Sequence, residues 1–461
     1  MVQMNIPPEE VEICLKVLQQ VSEEPALIGS HLRFKSLIAK IYKNAKKESR
    51  RAIQQQKKEE AQKLKAMTAI VQSQLQEQSV AALPNSVATQ NKLVKPSHCY
   101  ICKQPYTEIH FFYHMLCPTC AELNYRKRSQ RTDLTNRVAL VTGGRIKIGY
   151  QIALRMLRDG ARVIVTTRFP RDCARRFSLE PDFSQWRSHL QIHGLDLRHI
   201  GNVEAFVGYL LDTEPALDII INNAAQTIKR PLAFYQHLLS QENNPQNIIP
   251  SEVKGLITSN HNSILLETQP QYPGHLLTSN LYFPANTFDA DGQQLDTRPV
   301  NSWLLKLDEV STIEMLEVNL VNVVAPFIFN SKLKPLLIKS PFHRRFIINV
   351  SAMEGQFNRL HKTKYHPHTN MAKAALNMMT RTSAQDYVRD GIFMNSVDTG
   401  WITDENPYTK KIYLQETIGF YTPLDIIDGM ARIYDPIVQG IENPEEPLYG
   451  HFLKNYAPYS W

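Results

Sequence analysis

The 461-residue chain contains no run of 18 or more apolar residues, so no segment has the make-up of a helix that crosses a bilayer. Its first residues, MVQMNIPPEEVEI, lack the apolar core of a cleavable secretory signal. The expectation is a soluble, cytoplasmic protein without a membrane partner. Cysteine is scarce as well: six are present, four of them in two CxxC pairs, with Cys14 and Cys173 isolated. That usage fits an intracellular chain better than a disulfide-stapled one. From residue 41 to about residue 78 there is neither glycine nor proline, so nothing there interrupts a helix.

What is present is unevenly spread. Of the formal charge of +8, residues 41–65 carry +6, from nine Lys/Arg against three Glu, and the rest of the chain is close to neutral. Few aromatics interleave those cations and Gln and Glu dilute them, so nucleic acid is not the expected partner. A hydrophobic content of 43% supplies a large core, and the length favours two or three units. In EEVEICLKVLQQV, Val11, Ile13, Leu15, Leu18 and Val21 fall largely on one helical side after Pro7-Pro8; Leu32, Phe34, Leu37, Ile38 and Ile41 form a second amphipathic stretch. Residues 1–78 therefore read as a basic helical extension. The positions Ile53, Leu64, Met67, Ile70, Val71 and Leu75 become regular only near its end, which leaves a short coiled coil, a contact for a protein partner and a solvated helix all open. Residues 79–96, with Pro84, Pro96 and several Ser, Asn and Thr, read as a linker.

Residues 97–125 hold Cys99-x2-Cys102, fourteen further residues, and Cys117-x2-Cys120. Two such knuckles bring four thiolates to tetrahedral distance around one Zn2+. With no ligand position left for substrate, the zinc is expected to be structural. His98, His110 and His114 lie nearby, but histidines beside Phe111, Phe112 and Tyr113 read as packing.

From residue 133 onward, short apolar runs alternate with helical stretches. RVALVT (137–142), ARVIVTT (161–167), LQIHGL (190–195), LDIIIN (217–222), RRFIINVS (344–351) and GIFMNSV (391–397) have the character of buried parallel strands. The fold class is α/β, a doubly wound, Rossmann-like parallel sheet over 133–461. A Pro-, Asn- and Gln-rich insertion at 228–305 breaks the rhythm after the fourth strand and falls at the carboxyl edge of the sheet, where ligands bind. TGGRIKIG (142–149) follows the first strand and opens a helix, the setting in which a glycine turn lets backbone amides approach a pyrophosphate. The second strand ends on Thr167-Arg168 with no acid for a ribose hydroxyl, and Arg145 and Lys147 stand in the glycine turn. The cofactor these cations favour is NADP(H).

Several segments, in order, resemble the short-chain dehydrogenase/reductase family, over 133 to about 455. TGGRIKIG is similar to TGxxxGxG, with Thr142, Gly143 and Gly149 matching and Lys147 at the middle glycine. Asp196 of GLDLR matches an adenine-pocket position, and Asn222-Asn223-Ala224-Ala225 is similar to NNAG. Asn319 of EVNLVNVVAPF matches the asparagine that holds a relay water. IINVSAMEG puts Ala352 at the serine position, and HPHTNMAKAAL (366–376) resembles YxxxK-AAL, with Thr369 at the tyrosine position and Lys373 kept. VDTGWIT (397–403) is similar to the loop whose residues, here Ile402 and Thr403, hold the nicotinamide carboxamide.

The resemblance implies an NADP(H)-dependent oxidoreductase for a carbonyl or alcohol substrate, in which Lys373 binds the nicotinamide ribose and tunes the proton relay. It also implies a homo-oligomer. The proton donor is the open point, because an aliphatic hydroxyl at Thr369 cannot ionise near neutral pH as a phenol beside a lysine can. Tyr365, His366 and His368 are the substitutes at hand. A continuous helix would put Tyr365 about 12 Å from Lys373, but Pro367 argues against one and is expected to push His366 into an extended conformation, so that a folded loop presents Tyr365 or His368. The competing reading is a catalytically inactive dinucleotide-binding scaffold or sensor that engages a protein partner through its zinc module and N-terminal helix.

Overall fold

The computed structural model describes residues 7–76, 92–243, 253, 255–260, 279–359, 361–443, 445 and 447–461. The linker expected at 79–96 lies outside these as far as residue 91, as do 244–252, 254 and 261–278 of the insertion. Its strands are β1 (Lys92–His98), β2 (Pro105–Glu108), β3 (Val138–Thr142), β4 (Arg162–Thr167), β5 (Leu190–Gly194), β6 (Ile219–Asn222), β7 (Ile257–Asn260), β8 (Arg345–Ser351), β9 (Ile392–Asp398), β10 (Phe452–Lys454) and β11 (Ala457–Tyr459).

Every residue of β6, β8 and β9 is buried. Near-continuous Ile, Val and Phe runs of this kind have no solvent face to alternate with, so they belong inside a sheet covered on both sides. Among the described residues the sheet has nine strands, in the order β11-β10-β9-β8-β6-β3-β4-β5-β7, with all neighbours parallel except the β10–β11 edge pair. The order reverses at β3, so the connections leaving β3 and β6 run to opposite sides and open the crevice where open α/β sheets bind ligands. All six expected strands are present. The three additional ones are short: β7 comes from the insertion and extends the sheet beside β5, and β10 and β11 close the other edge.

Two apolar layers cover the sheet. On one face Ile152 and Leu157 of the helix Lys147–Arg158 pack with Ile433, Tyr434 and Ile437 of the helix Ile426–Glu442. On the other, Phe206 and Leu210 of Ile200–Thr213 pack with Phe329 of Ala325–Lys332 and Ala384 of Pro367–Tyr387. The stretch Thr312–Lys332 is long and apolar enough to cross a membrane by length and composition. Its buried Asn322 and Asn330 and its place in the second layer make it a core element of this fold.

The chain divides into two compact units, Met1–Leu64 with Leu93–Lys95, and Lys65–Lys92 with Pro96–Trp461. The first contains the helix Pro8–Glu23, which starts on Pro8, and most of the 35-residue helix Leu32–Ala66, neither with a buried residue. That second helix stops short of residue 78. Thr68 turns its hydroxyl onto the Lys65 carbonyl at 2.7 Å, and a separate helix, Ala69–Gln76, follows in the second unit with Ile70 and Val71 fully buried. Residues 96–128, which carry the cysteines, also belong to the second unit, the one that holds the sheet.

Candidate active site and candidate metal centre

The glycine turn is built by close approach. A Cβ at Gly149 would fall 2.2 Å from the Gly143 carbonyl oxygen, and Gly143 itself has φ +69° with Ala224 3.0 Å from its Cβ position. Lys147, at the middle glycine position, keeps the left-handed backbone with φ +54°. A non-glycine residue holds that conformation at a cost of about 1–3 kcal/mol. The Thr142 hydroxyl accepts from the amides of Asn223 and Ala224 at 3.1 and 3.0 Å, and Asn223 Nδ2 donates to the Thr142 carbonyl at 3.0 Å. These residues tie β3 to β6 across the crevice.

The cations of the turn are occupied from within the chain. Arg145 is buried and pairs with Asp172 at 2.7 Å and with Gln293 of the insertion at 2.9 Å. Burial alone would raise the Asp172 carboxyl, but Arg145 and Arg176 outweigh it and hold it at about 2. Lys147 Nζ lies 3.7 Å from Asp291, also of the insertion, whose pKa burial raises against the pull of Lys147. The segment 289–293 thus lies over the turn, shaped by Asp289 Oδ1, which accepts from the amides of Asp291 and Gln293 at 3.0 and 2.8 Å. Arg168 stacks on Tyr235 at 4.5 Å and on Phe169 at 5.4 Å. Asp196 holds Arg198 at 2.5 Å, and the half-buried Arg198 and Lys229 converge on Glu317 at 3.6 and 3.3 Å.

At the reactive end Lys373 is buried, donates to the Val350 carbonyl at 2.8 Å, and is pulled down to about 8 by burial, with Glu354 opposing. Thr369 sits one helical turn before it on the same face, buried, and its hydroxyl has no hydrogen-bond partner among the described residues. Ser351 does not stand in for a catalytic serine, since its hydroxyl donates to Asn377 Oδ1 at 2.6 Å. Asn319 donates to the Met315 carbonyl at 2.8 Å, at the end of the helix Thr312–Asn319 where a five-residue π turn, Leu320–Val324, begins. Thr403 donates to Glu405 at 2.7 Å.

The helix of Lys373 begins at Pro367, so Tyr365 precedes it, half-buried, with the Lys364 ammonium 5.7 Å from its ring. The expected extended conformation at His366 is not found. Its φ and ψ are 45° and 48°, held by ring stacking on Trp303 at 3.9 Å and by its amide on the Leu305 carbonyl at 2.8 Å. Contacts from the end of the insertion override the local preference of a residue before proline. His368 is 2% exposed and places Nε2 3.5 Å from Glu314 Oε1. Burial would raise the Glu314 carboxyl, but His368 outweighs it and the net shift is downward. Neither His368 nitrogen, Glu314 Oε1 nor Gln356 Nε2 has a hydrogen-bond partner within protein geometry among the described residues.

A dinucleotide fits these two ends differently. The close glycine approach and the unpartnered Thr369 hydroxyl one turn before Lys373 suit one, whereas Asp291 sets a carboxylate beside the turn where phosphate would lie. Sequence reasoning missed Glu314, Asp291, Gln293 and Trp303. A turn signal, DADG at 289–292, was there to be read, but not where the turn would dock.

The four cysteine Sγ atoms lie within 4.8 Å of one another, with Cys102 and Cys117 at 3.7 Å. Tetrahedral Zn–S bonds of about 2.3 Å set the sulfurs about 3.8 Å apart, so the set fits one zinc ion and is far too wide for disulfides. Within this cluster, burial would raise the Cys99 thiol but backbone amides outweigh it and lower it, whereas burial raises Cys117 and Cys120. His110 accepts from the amides of Phe112 and Tyr113 at 3.1 and 3.4 Å, and His114 reaches the Tyr421 carbonyl. Both act in packing, as expected.

The fold is Rossmann-like, a doubly wound parallel sheet with its crevice at the switch point. A family profile described as short chain dehydrogenase matches residues 137–262. The uncharacterized protein R665 of Acanthamoeba polyphaga mimivirus is 32% identical over 353 residues, which cover 74% of this chain and 71% of that protein. The human dehydrogenase/reductase SDR family member 13 is 38% identical over 93 residues, 20% of this chain and 24% of its own length. Among solved structures, the NADPH-bound carbonyl reductase from chicken fatty liver aligns with 71% of this chain and 100% of its own at 19% identity and a TM-score of 0.45. The chain belongs to the short-chain dehydrogenase/reductase family of oxidoreductases.

Proposed function

We propose that this chain is an NADP(H)-dependent oxidoreductase that interconverts a carbonyl and an alcohol, with His368 as proton donor in place of the family tyrosine. The observation that carries the reading is Lys373: buried, with its ammonium on the Val350 carbonyl near the carboxyl end of β8, it is depressed to about 8, and the Thr369 hydroxyl one turn away is buried without a hydrogen-bond partner among the described residues. A lysine is kept in so unfavourable an environment at a cost that function explains better than packing does. The bound dinucleotide supplies the hydride. Lys373 binds the ribose hydroxyls and lowers the barrier to proton movement. His368, its Nε2 3.5 Å from Glu314 Oε1, carries the proton, with the carboxylate holding the ring in place as it does so. Arg168 favours the 2'-phosphate of NADP(H). Asn319 holds a relay water once its amide leaves the Met315 carbonyl.

A second reading draws on a specific observation: Arg145, Lys147, Asn319 and Thr403 are all satisfied inside the chain. It makes the domain a dinucleotide-binding scaffold without turnover. Fluorescence titration with NADPH and NADH, followed by NADPH oxidation over a panel of aldehydes and ketones, separates the two. Binding of NADPH with turnover on any member of the panel supports the oxidoreductase, binding without turnover supports the scaffold, and no binding of either dinucleotide overturns both.

A further inference from the structure

The metal centre and the cofactor-side loop meet in one hydrogen bond. Tyr100, between the ligand positions Cys99 and Cys102, anchors its own amide on the Met115 carbonyl at 2.8 Å, and its phenolic oxygen accepts from the Trp401 amide at 3.0 Å. Trp401 lies in the segment 399–403. The preceding Gly400 has φ +80° and leaves no room for a Cβ, which would fall 2.6 Å from Leu424. The following Ile402 and Ile148 of the glycine-turn helix close together over Gly429, where a Cβ would fall 2.3 and 3.0 Å from their Cδ1 atoms. One bond from the knuckle is therefore followed by packing that continues to the glycine turn.

The surroundings keep that bond from being an isolated surface contact. Tyr113 donates to Asp428 Oδ1 at 2.5 Å, Arg128 pairs with Asp425 at 2.7 Å and Asp428 at 3.0 Å, and Arg432 donates to Asn124 at 2.8 Å. Asp425 and Asp428 form the capping box of the helix Ile426–Glu442. The cysteine module is thus bolted to the start of that helix, and Tyr100 extends the same surface over the loop before it.

We infer that the four-cysteine zinc centre is a positioning device for the loop 399–403, with Tyr100 as the positioning residue that fixes the Trp401 amide and so sets the loop for the nicotinamide. This rests on the assignment of that loop to the cofactor under Proposed function. Metal occupancy reaches Tyr100 through the knuckle that presents it, because Cys99 and Cys102 on either side of it are two of the four ligand positions and the turn closes through the Cys99 amide on the Gln104 carbonyl at 2.9 Å.

The test uses the full chain loaded with zinc and the conservative variant Tyr100→Phe, which keeps the ring and loses the acceptor. Amide hydrogen exchange over 399–403 is the primary readout. Losing one such hydrogen bond is expected to raise exchange at Trp401 about five- to tenfold, with zinc content still one per chain and the sheet amides unchanged. NADPH affinity is expected to fall by a similar factor, with kcat changed less than KM. Chelation of zinc from the wild type should loosen the same residues. Unchanged exchange at 399–403 in Tyr100→Phe, or after zinc removal, overturns the inference. Exchange reads the loop whether or not a dinucleotide binds. A loosened loop in a chain that binds neither NADPH nor NADH sustains the mechanical link and overturns the cofactor reading alone.

Discussion

The two ends of the crevice differ in how their charged groups are partnered, although Gln293 Nε2 at the turn is also buried without a hydrogen-bond partner among the described residues. Around the glycine turn each charged side chain has a partner supplied by the chain: Asp172 and Gln293 for Arg145, Asp291 for Lys147, Glu317 for Arg198 and Lys229. Around the start of the helix Pro367–Tyr387, Thr369 Oγ1, His368 Nδ1 and Gln356 Nε2 are buried without a hydrogen-bond partner among the described residues, and His368 Nε2 meets Glu314 Oε1 at ion-pair distance, 3.5 Å. A buried orphan of this kind costs about 1–3 kcal/mol. A ligand at the reactive end therefore gains contacts that the chain lacks, while a ligand at the turn must displace contacts already made. The contrast says that affinity is limited at the phosphate end and that chemistry is organised at the other.

The largest test is aimed at the reactive end. Lys373→Ala is expected to lower kcat by about 10²–10⁴ on any substrate the wild type turns over, and an unchanged kcat removes Lys373 from the mechanism. Lys373→Met tests the electrostatics apart from turnover. Because burial holds the ammonium at about 8 instead of its ordinary 10.5, the folded chain binds fewer protons than the unfolded chain between those values. The site's contribution to folding stability then rises with pH through that window, is complete above it and is missing below it. Urea unfolding of wild type and Lys373→Met across pH 7–10.5 should show the difference moving in the wild type's favour by up to about 3 kcal/mol. A flat difference means that the amine is not held in its depressed state.

Next in size is the His368–Glu314 pair. His368→Gln is expected to lower kcat about 100-fold. Glu314→Gln, which keeps shape but removes the carboxylate 3.5 Å from His368 Nε2, should lower it about tenfold. NADPH affinity should stay within about twofold in both, since neither group faces the turn. If Tyr365→Phe abolishes turnover while His368→Gln does not, the tyrosine is the donor and the pair is structural.

How much of this the sequence carried follows from the range of the interactions. The six strand runs of the Rossmann core were readable because burial on both faces imposes continuous apolar segments. The four cysteines were readable because metal chemistry demands fixed spacing, and Gly143 and Gly149 because backbone approach admits no side chain. His366 was misread, since its left-handed backbone is set by Trp303 and Leu305, some sixty residues upstream. The end of the basic helix was also misread: Ile70 and Val71 look like the continuation of an amphipathic helix, but they are buried in a separate one whose first amides bond Phe111 and Phe112 of the cysteine module. Glu314 and Asp291 left no local trace of their destinations, because their partners come from elsewhere in the chain.

The smallest effect is the sharpest test of the contrast, because it predicts a gain. Asp291→Asn removes the carboxylate beside Lys147 and preserves the turn, whose shape comes from Asp289 accepting the amides of 291 and 293. Without that charge, Lys147 is released toward phosphate and a like-charge opponent is gone. NADPH binding should tighten about three- to tenfold, roughly 0.7–1.4 kcal/mol. The same argument fixes a pH dependence. Burial raises the Asp291 pKa, so lowering the pH through that raised value neutralises the wild-type carboxylate, and wild-type affinity should climb toward that of the variant, whose own affinity lacks this component. Fluorescence titration of NADPH at a series of pH values measures both. Weaker binding by Asp291→Asn would mean that the carboxylate orients Lys147 for the nucleotide, and the phosphate end would then be a finished site rather than a covered one.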